Sequence, residues 1–244
     1  MTMNFKAENK ATLLNILWSI DVKGPLLNGN LKTEDTEAYA MAHLLSSLAE
    51  RNSLLTFPLE LIHRKKPHDK PEFLISMGGK KIGIEHTDAR PENETRKDDL
   101  RCKEGIGPSV YFETPVEPGE IKRRTKQLRE EIVANDSGIG WGNQDNTDQK
   151  WADVMLFIID AKQLKLRKPD FSRYDEDWLL IRDAWPFPSV NLQNATRHLF
   201  SQIMALNVKL EFHRVFIISR SDRGPVCEIA ASGFHFHSRN DLWS

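Results

Sequence analysis

Two glutamates border the segment PEFLISMGGKKIGIEHT, residues 71–87, and their carboxylates could carry out chemistry. FLISM, 73–77, and KIGIEHT, 81–87, predict two strands, because the glycine pair between them supplies the positive φ angles of a tight hairpin turn. Glu72 lies at the start of the first strand and Glu85 near the end of the second, so the hairpin predicts that they approach one another. Adjacent carboxylates repel unless they share a proton or a divalent cation, and Mg²⁺ selects carboxylate oxygens. If both acids are exposed positions of an amphipathic hairpin, no site forms.

Helices and further strands must position this hairpin. Apolar spacing predicts helices over 11–17, 33–52, 119–135, 149–166 and 189–207. Strands are expected over 57–64, as an edge strand ended by Pro67, and over 177–183, 212–219 and 227–231. VMLFII, inside the fourth helix, is also compatible with a buried strand, but Trp151, Val154 and Ile158 keep helical spacing and favour the helix. Segment 88–119 is rich in charged residues, Pro and Gly and predicts an irregular excursion.

Composition is that of an ordinary globular protein. The 244 residues, 39% hydrophobic and 28% charged, are enough for a full core and fit one elaborated domain. No run approaches the roughly 18 apolar residues of a membrane helix, and no signal peptide is recognisable, so neither secretion nor membrane insertion is expected. Cys102 and Cys227 are isolated, which predicts buried structural thiols and a cytoplasmic location.

A formal net charge of −1 argues against a surface coated in positive potential. Four basic runs nevertheless occur, at 63–70, 80–81, 121–129 and 162–168. Each is by itself a solvated face, and they matter for a polyanion only if the fold brings them together.

The run PEF, followed by GIEHT, resembles the signature of the PD-(D/E)xK nuclease superfamily, in which Pro-Asp opens a strand and Glu-x-Lys closes the next. IIDAKQLKL followed by YDEDWLLIRD is similar to the helix-then-strand pairing after the catalytic hairpin of many restriction-endonuclease-like proteins. The resemblance covers roughly 36–183. It implies an α/β fold with a restriction-endonuclease-like mixed sheet flanked by helices. The expected organisation is a single domain over 1–244, with N-terminal helices and an insertion at about 88–147.

The resemblance also implies a metal site, with Mg²⁺ or Mn²⁺ as the cofactor. Glu72 and Glu85 are its expected ligands, and the main-chain carbonyl of His86 is a further one. Glu50, near the end of the helix before the sheet, matches a helix acid that some members add. Asp69 substitutes for Glu72 if the register is shifted.

Thr87 is the main departure from the family pattern, because it stands where Lys is usual. Phosphodiester hydrolysis needs an activated water and neutralisation of the charge that the phosphate gains, and the family lysine helps with the water. A threonine hydroxyl can hold a water but contributes no positive charge. Lys162, on the helix expected to flank the site, is the first candidate to replace the lysine, followed by Lys126 and Lys81. The catalytic set that results is Glu72, Glu85, Thr87 and Lys162.

Two functions follow from the resemblance. The first is a metal-dependent nuclease acting on DNA in defence, repair or mobile-element biology. The second is a nuclease-fold module that has lost catalysis and binds nucleic acid or a protein partner. A homodimer is compatible with either. The cations assigned to nucleic-acid binding are Lys80, Lys81, Arg123 and Lys126.

His235 and His237 form a second motif, with the His-x-His spacing that places two imidazoles on one strand face. No third ligand lies nearby in the sequence, so an ordinary strand is the expectation. No Ser-His-Asp arrangement or activated cysteine stands out, and a covalent enzyme intermediate therefore has no support.

Overall fold

The structure is a computed structural model that describes residues 3–20, 33–51, 54–64, 71–108, 116–134, 144–187, 189–206, 209–219 and 224–238. Within these residues, eight strands form one mixed sheet, accompanied by six helices. The strands are β1 Asn4–Ala7, β2 Leu59–His63, β3 Phe73–Met77, β4 Lys80–Ala89, β5 Glu176–Asp183, β6 Arg214–Ile218, β7 Val226–Ala230 and β8 Gly233–His237. The helices are α1 Lys10–Ser19, α2 Thr33–Arg51, α3 Glu92–Glu104, α4 Thr125–Ala134, α5 Gln144–Leu166 and α6 Leu192–Ala205. None of these helices is long and apolar enough to cross a membrane.

The strands follow one another across the sheet in chain order, from β1 at one edge to β8 at the other. β4, β5 and β6 run parallel, and the other neighbours are antiparallel. Gly78 and Gly79 form the two-residue turn between β3 and β4, with φ of +57° and +76°. The predicted hairpin is therefore confirmed.

Both faces of the sheet are covered. Along β5, Trp178 and Leu180 join a core cluster with residues of α1 and α2, whereas Leu179 and Ile181 join a second cluster with residues of α5 and α6. This alternation follows from the two-residue period of a strand, and it places α2 and α5 on opposite faces. The sheet is thus the middle layer between two helical layers.

VMLFII lies inside α5, so the helical interpretation of this segment is confirmed. Trp151, Val154 and Ile159 of α5 are fully buried against β5 and its neighbours. Their spacing puts them on one side of the helix. The period-3.6 pattern therefore outweighed the strand-like composition.

The segment 88–119 is not irregular throughout, because it contains α3. Gly105 ends this helix in the left-handed conformation, with φ of 64°. The residues that α3 buries are Asn93, Glu94 and Lys97, none of which is apolar. A hydrophobic periodicity was therefore absent, and the prediction was wrong.

The prediction of β2 as an edge strand is also wrong. β1 pairs with β2 from Asn4 opposite Ile62 to Ala7 opposite Leu59, and β1 itself forms the edge. β8 forms the other edge, against β7. Both edge strands are short; the sequence patterns did not predict β1, and they indicated β8 only through the His-x-His motif.

Candidate active site

The hairpin brings the two predicted acids together. Phe73 of β3 pairs with Ile84 of β4. The next pair away from the turn is therefore Glu72 opposite Glu85. The main-chain N–H of His86 donates a hydrogen bond to Glu72 Oε2 at 2.9 Å. Only 7% of Glu72 and 1% of Glu85 is exposed. The two acids are therefore not exposed positions of an amphipathic hairpin.

Two lysines of α5 contact this acid pair. Lys162 Nζ donates to Glu85 Oε1 and to the main-chain oxygen of His86, both at 3.0 Å. Lys165 Nζ donates to the same Glu85 oxygen. Residues three apart lie on one helical face, so a single face of α5 delivers both ammonium groups. Sequence reasoning missed Lys165, although its spacing from Lys162 in KQLK was a usable signal.

The environment pushes the pKa values of the two acids apart. Burial, followed by repulsion from the Glu85 carboxylate, raises the pKa of Glu72 to about 7. Burial also opposes ionisation of Glu85, but the ammonium groups of Lys162 and Lys165 outweigh it and hold the pKa of Glu85 below its ordinary value. Near neutral pH the pair therefore consists of an ionised Glu85 and a Glu72 that is only partly ionised.

The donor atoms at the acid pair fit a hard divalent cation. Glu72 and Glu85 supply carboxylate oxygens and His86 supplies a main-chain oxygen, which are the ligand types that Mg²⁺ accepts. Glu85 Oε2 is buried and has no hydrogen-bond partner among the described residues. No group of three or more His, Cys, Asp or Glu residues in the described part of the chain is arranged to hold a metal ion. The remaining ligands would therefore be water or substrate oxygens.

The other residues predicted for the site lie as follows. Thr87 is half-buried on β4, two residues beyond Glu85 and on the same face. Glu50 belongs to α2, but its side chain and all of Asp69 lie outside the described residues. Lys81 and Lys126, the other candidate lysines, are exposed, and no described contact joins them to the acids.

The cations assigned to nucleic-acid binding are partly neutralised by neighbouring acids. Lys80 Nζ lies 3.0 Å from Glu176 Oε1, and Arg123 NH1 lies 2.7 Å from Glu131 Oε2. Lys126 Nζ lies 3.9 Å from Glu130 Oε1, one turn further along the same helix. These residues thus do not form a continuous uncompensated surface.

A further polar pair borders the acids. The main-chain N–H of Arg64, just after β2, donates to the main-chain oxygen of Glu72 at 2.8 Å. Its guanidinium NH1 donates to the hydroxyl of Tyr174 at 2.6 Å and lies over the ring, 5.3 Å from the centroid. Tyr174 packs on Gly83, two residues before Glu85 on the same face of β4. A Cβ at Gly83 would lie 2.6 Å from Tyr174 Cδ2, so only glycine allows this contact.

The opposite face of the sheet, towards α2, carries its own buried and half-buried polar groups. His63 Nε2 and Glu37 Oε2 are 2.9 Å apart, and Arg182 contacts Asp88 through two hydrogen bonds of 2.7 and 2.9 Å. Burial lowers the pKa of His86 to about 4, so its ring is neutral near pH 7. His86 therefore contributes to the acid pair through its main chain, while its ring belongs to the other layer.

The His-x-His motif lies on β8. His237 Nε2 is 2.7 Å from Glu228 Oε2, and Arg214 contacts the other oxygen of that carboxylate. His235 is exposed. The described residues thus give His237 an acidic partner, as expected for an ordinary strand position.

No family model, curated protein or solved structure matches the chain.

Proposed function

We propose that the protein is a metal-dependent nuclease that hydrolyses phosphodiester bonds of DNA. One observation carries the proposal: Lys162 places its ammonium group 3.0 Å from both Glu85 Oε1 and the main-chain oxygen of His86. A positive charge beside the second acid is what the resemblance requires and what Thr87 lacks. Helix α5 thus supplies the charge from outside the strand.

The order of elements around the acids supports the same proposal. α2 precedes the antiparallel strands β2, β3 and β4, and α5 then leads into β5, which lies parallel to β4. This is the helix, hairpin and helix-then-strand order on which the resemblance to PD-(D/E)xK nucleases rests.

Each residue of the site has a defined chemical task in this proposal. A bound Mg²⁺ or Mn²⁺ supplies Lewis-acid activation of water and neutralises charge on the phosphate. Glu72 and Glu85 would hold the ion together with the main-chain oxygen of His86. Glu72, with its pKa of about 7, can release its proton near neutral pH to take this role. Lys162 and Lys165 hold fixed positive charge where a phosphate gains negative charge in the transition state.

Cleavage of plasmid and single-stranded DNA, with Mg²⁺ or Mn²⁺, tests the proposal. Glu85→Ala and Lys162→Met should each lower the rate by about 10²-fold or more, because the first removes a ligand of the ion and the second removes a positive charge beside the reacting phosphate. Lys150→Met is the matched control on the same helix. Its ammonium group pairs with Glu117 at 2.9 Å, away from the acids, so this variant should cut at the wild-type rate.

Two results would count against catalysis at these residues. If Glu85→Ala cuts as fast as the wild type, the acid pair is not the metal site. If the wild-type protein binds DNA but cuts neither DNA nor RNA with either ion, the result supports the alternative, which is an inactive nuclease-fold module. In that case Glu85, Lys162 and Lys165 form a structural ion-pair cluster.

A further inference from the structure

Arg64, just after β2, is a cation that lies beside Glu72 of the acid pair. Its guanidinium contacts the hydroxyl and the ring of Tyr174, and no carboxylate of the described residues pairs with it. Arg182, on the opposite face of the sheet, shows the contrast, because both oxygens of Asp88 neutralise it. Among the described residues only Tyr174 accepts a hydrogen bond from this guanidinium, which leaves most of its N–H donors for a ligand.

Arg64 is also held in a defined place. Its main-chain hydrogen bond to Glu72 fixes it one strand away from Glu72 and two strands away from Glu85. Tyr174 fixes its head group, and Gly83 provides the space in which the tyrosine ring packs. These three restraints distinguish Arg64 from an ordinary solvent-exposed cation.

The side of the sheet on which Arg64 lies follows from strand alternation. His63, the preceding residue, turns its ring to Glu37 of α2 on one face. Arg64 points the other way and meets Tyr174 on the face that carries Gly83 and Glu85. Arg64 and the two lysines of α5 therefore border the same acid pair.

We propose that Arg64, positioned by Tyr174, binds a backbone phosphate of the nucleic-acid strand adjacent to the phosphate that is cut. The guanidinium has five N–H donors, and its planar fork matches two phosphate oxygens at once. This inference rests on the proposed nuclease function for the identity of the strand. It adds a substrate contact outside the acid pair and the α5 lysines.

Binding without cleavage tests the contact directly. Fluorescence anisotropy of a labelled single-stranded DNA oligonucleotide, with EDTA present, gives the Kd over a range of salt concentrations. Arg64→Ala should raise the Kd about 10-fold and make the dependence of log K on log salt shallower by about 0.7, the contribution of one phosphate contact. Arg64→Lys should restore the salt dependence but only part of the affinity, because an ammonium group lacks the fork.

Two further variants separate this role from a general effect of charge or folding. Arg129→Ala removes the same charge from α4, where Glu104 already neutralises it through hydrogen bonds of 2.8 and 2.7 Å, so the Kd should not change. Tyr174→Phe keeps the ring and removes only the acceptor of the Arg64 hydrogen bond. It should raise the Kd about 3-fold, less than the loss of the cation does.

Kinetics distinguish failure of this inference from failure of the proposed function. If the wild type cuts DNA, Arg64→Ala should raise KM about 10-fold and leave kcat within about 2-fold, as expected for a contact made equally in the ground and transition states. If Arg64→Ala and Arg64→Lys match the wild type in Kd and salt dependence, the inference is overturned while the nuclease function stands. If nothing is cut but Arg64→Ala still weakens binding, the nuclease function fails and the phosphate contact stands.

Discussion

Replacing Glu72 with Gln should stabilise the metal-free protein at neutral and alkaline pH. The amide has nearly the same size as the carboxyl group. In the wild type the main-chain N–H of His86 donates a hydrogen bond of 2.9 Å to Glu72 Oε2, and the amide oxygen of Gln can accept the same bond. The substitution therefore removes the ionisable proton and little else. The free energy of unfolding then reports what ionisation of Glu72 costs the fold.

The pKa of Glu72 gives the size and sign of the effect. Burial and the Glu85 carboxylate raise this pKa from 4.5 to about 7. Between these two values the folded protein keeps a proton that the unfolded chain has released, so stability falls as the pH rises. At about 1.4 kcal/mol for each pH unit, the wild type should lose about 3 kcal/mol relative to Glu72→Gln by about pH 8.

Urea unfolding in EDTA, from about pH 4.5 to about pH 8, measures the difference between wild type and Glu72→Gln. The difference should grow with pH and level off above about pH 7. Excess Mg²⁺ at about pH 8 should stabilise the wild type more than the variant, since an amide oxygen is a weaker ligand than a carboxylate. A difference that does not change with pH refutes the reasoning, because the carboxyl of Glu72 would then ionise as easily in the fold as in the unfolded chain.

Three smaller experiments test other parts of the structure. Glu228→Gln should show the opposite sign to Glu72→Gln: it should be less stable than the wild type above the unfolded pKa of a glutamate, and this deficit should shrink as the pH falls below that value, because His237 and Arg214 outweigh burial and lower the pKa of Glu228; a difference between the two proteins that does not change with pH in urea unfolding would contradict this. Gly83→Ala should destabilise the protein by about 1–3 kcal/mol, because the new Cβ overlaps the tyrosine ring beside it; a thermal melt equal to that of the wild type would show that the ring moves freely. Cys227 is buried as predicted, but Cys102 is exposed, so the prediction of a buried thiol was wrong for Cys102. A thiol reagent should therefore modify Cys102 in the folded protein but Cys227 only after denaturation, because burial raises the pKa of Cys227 to about 12; rapid modification of both in the fold would count against that burial.

The hairpin and the meeting of its acids could be predicted from the sequence because their determinants are local. Gly78 and Gly79 set the turn, and the two-residue period of the flanking strands then determines the register that puts Glu72 opposite Glu85. The helical period of α5 likewise predicted that Lys162 lies on a helix packed against this sheet. Neighbouring residues carry all of this information.

Helix α3 shows where local patterns fail. It buries Asn93, Glu94 and Lys97, whose polar groups are satisfied by specific partners such as the contact of 2.8 Å between Lys97 and Glu94. A hydrophobic pattern cannot reveal a face that is stabilised in this way. β1 was missed for a related reason, since a four-residue strand is defined by its pairing with β2 and not by its own sequence.

The sequence by itself determined which two acids meet, the turn that joins their strands and the helix that carries the lysines. Only the tertiary structure decided that Lys162 and Lys165, 77 and 80 residues away, both reach Glu85, and that Arg64 meets Tyr174 across 110 residues. The physical reason is that hydrogen-bonded turns and side-chain periods are set by adjacent residues. Which charged groups meet depends instead on how α5 and the Tyr174 segment pack over the shared sheet, and that packing is set by the whole core.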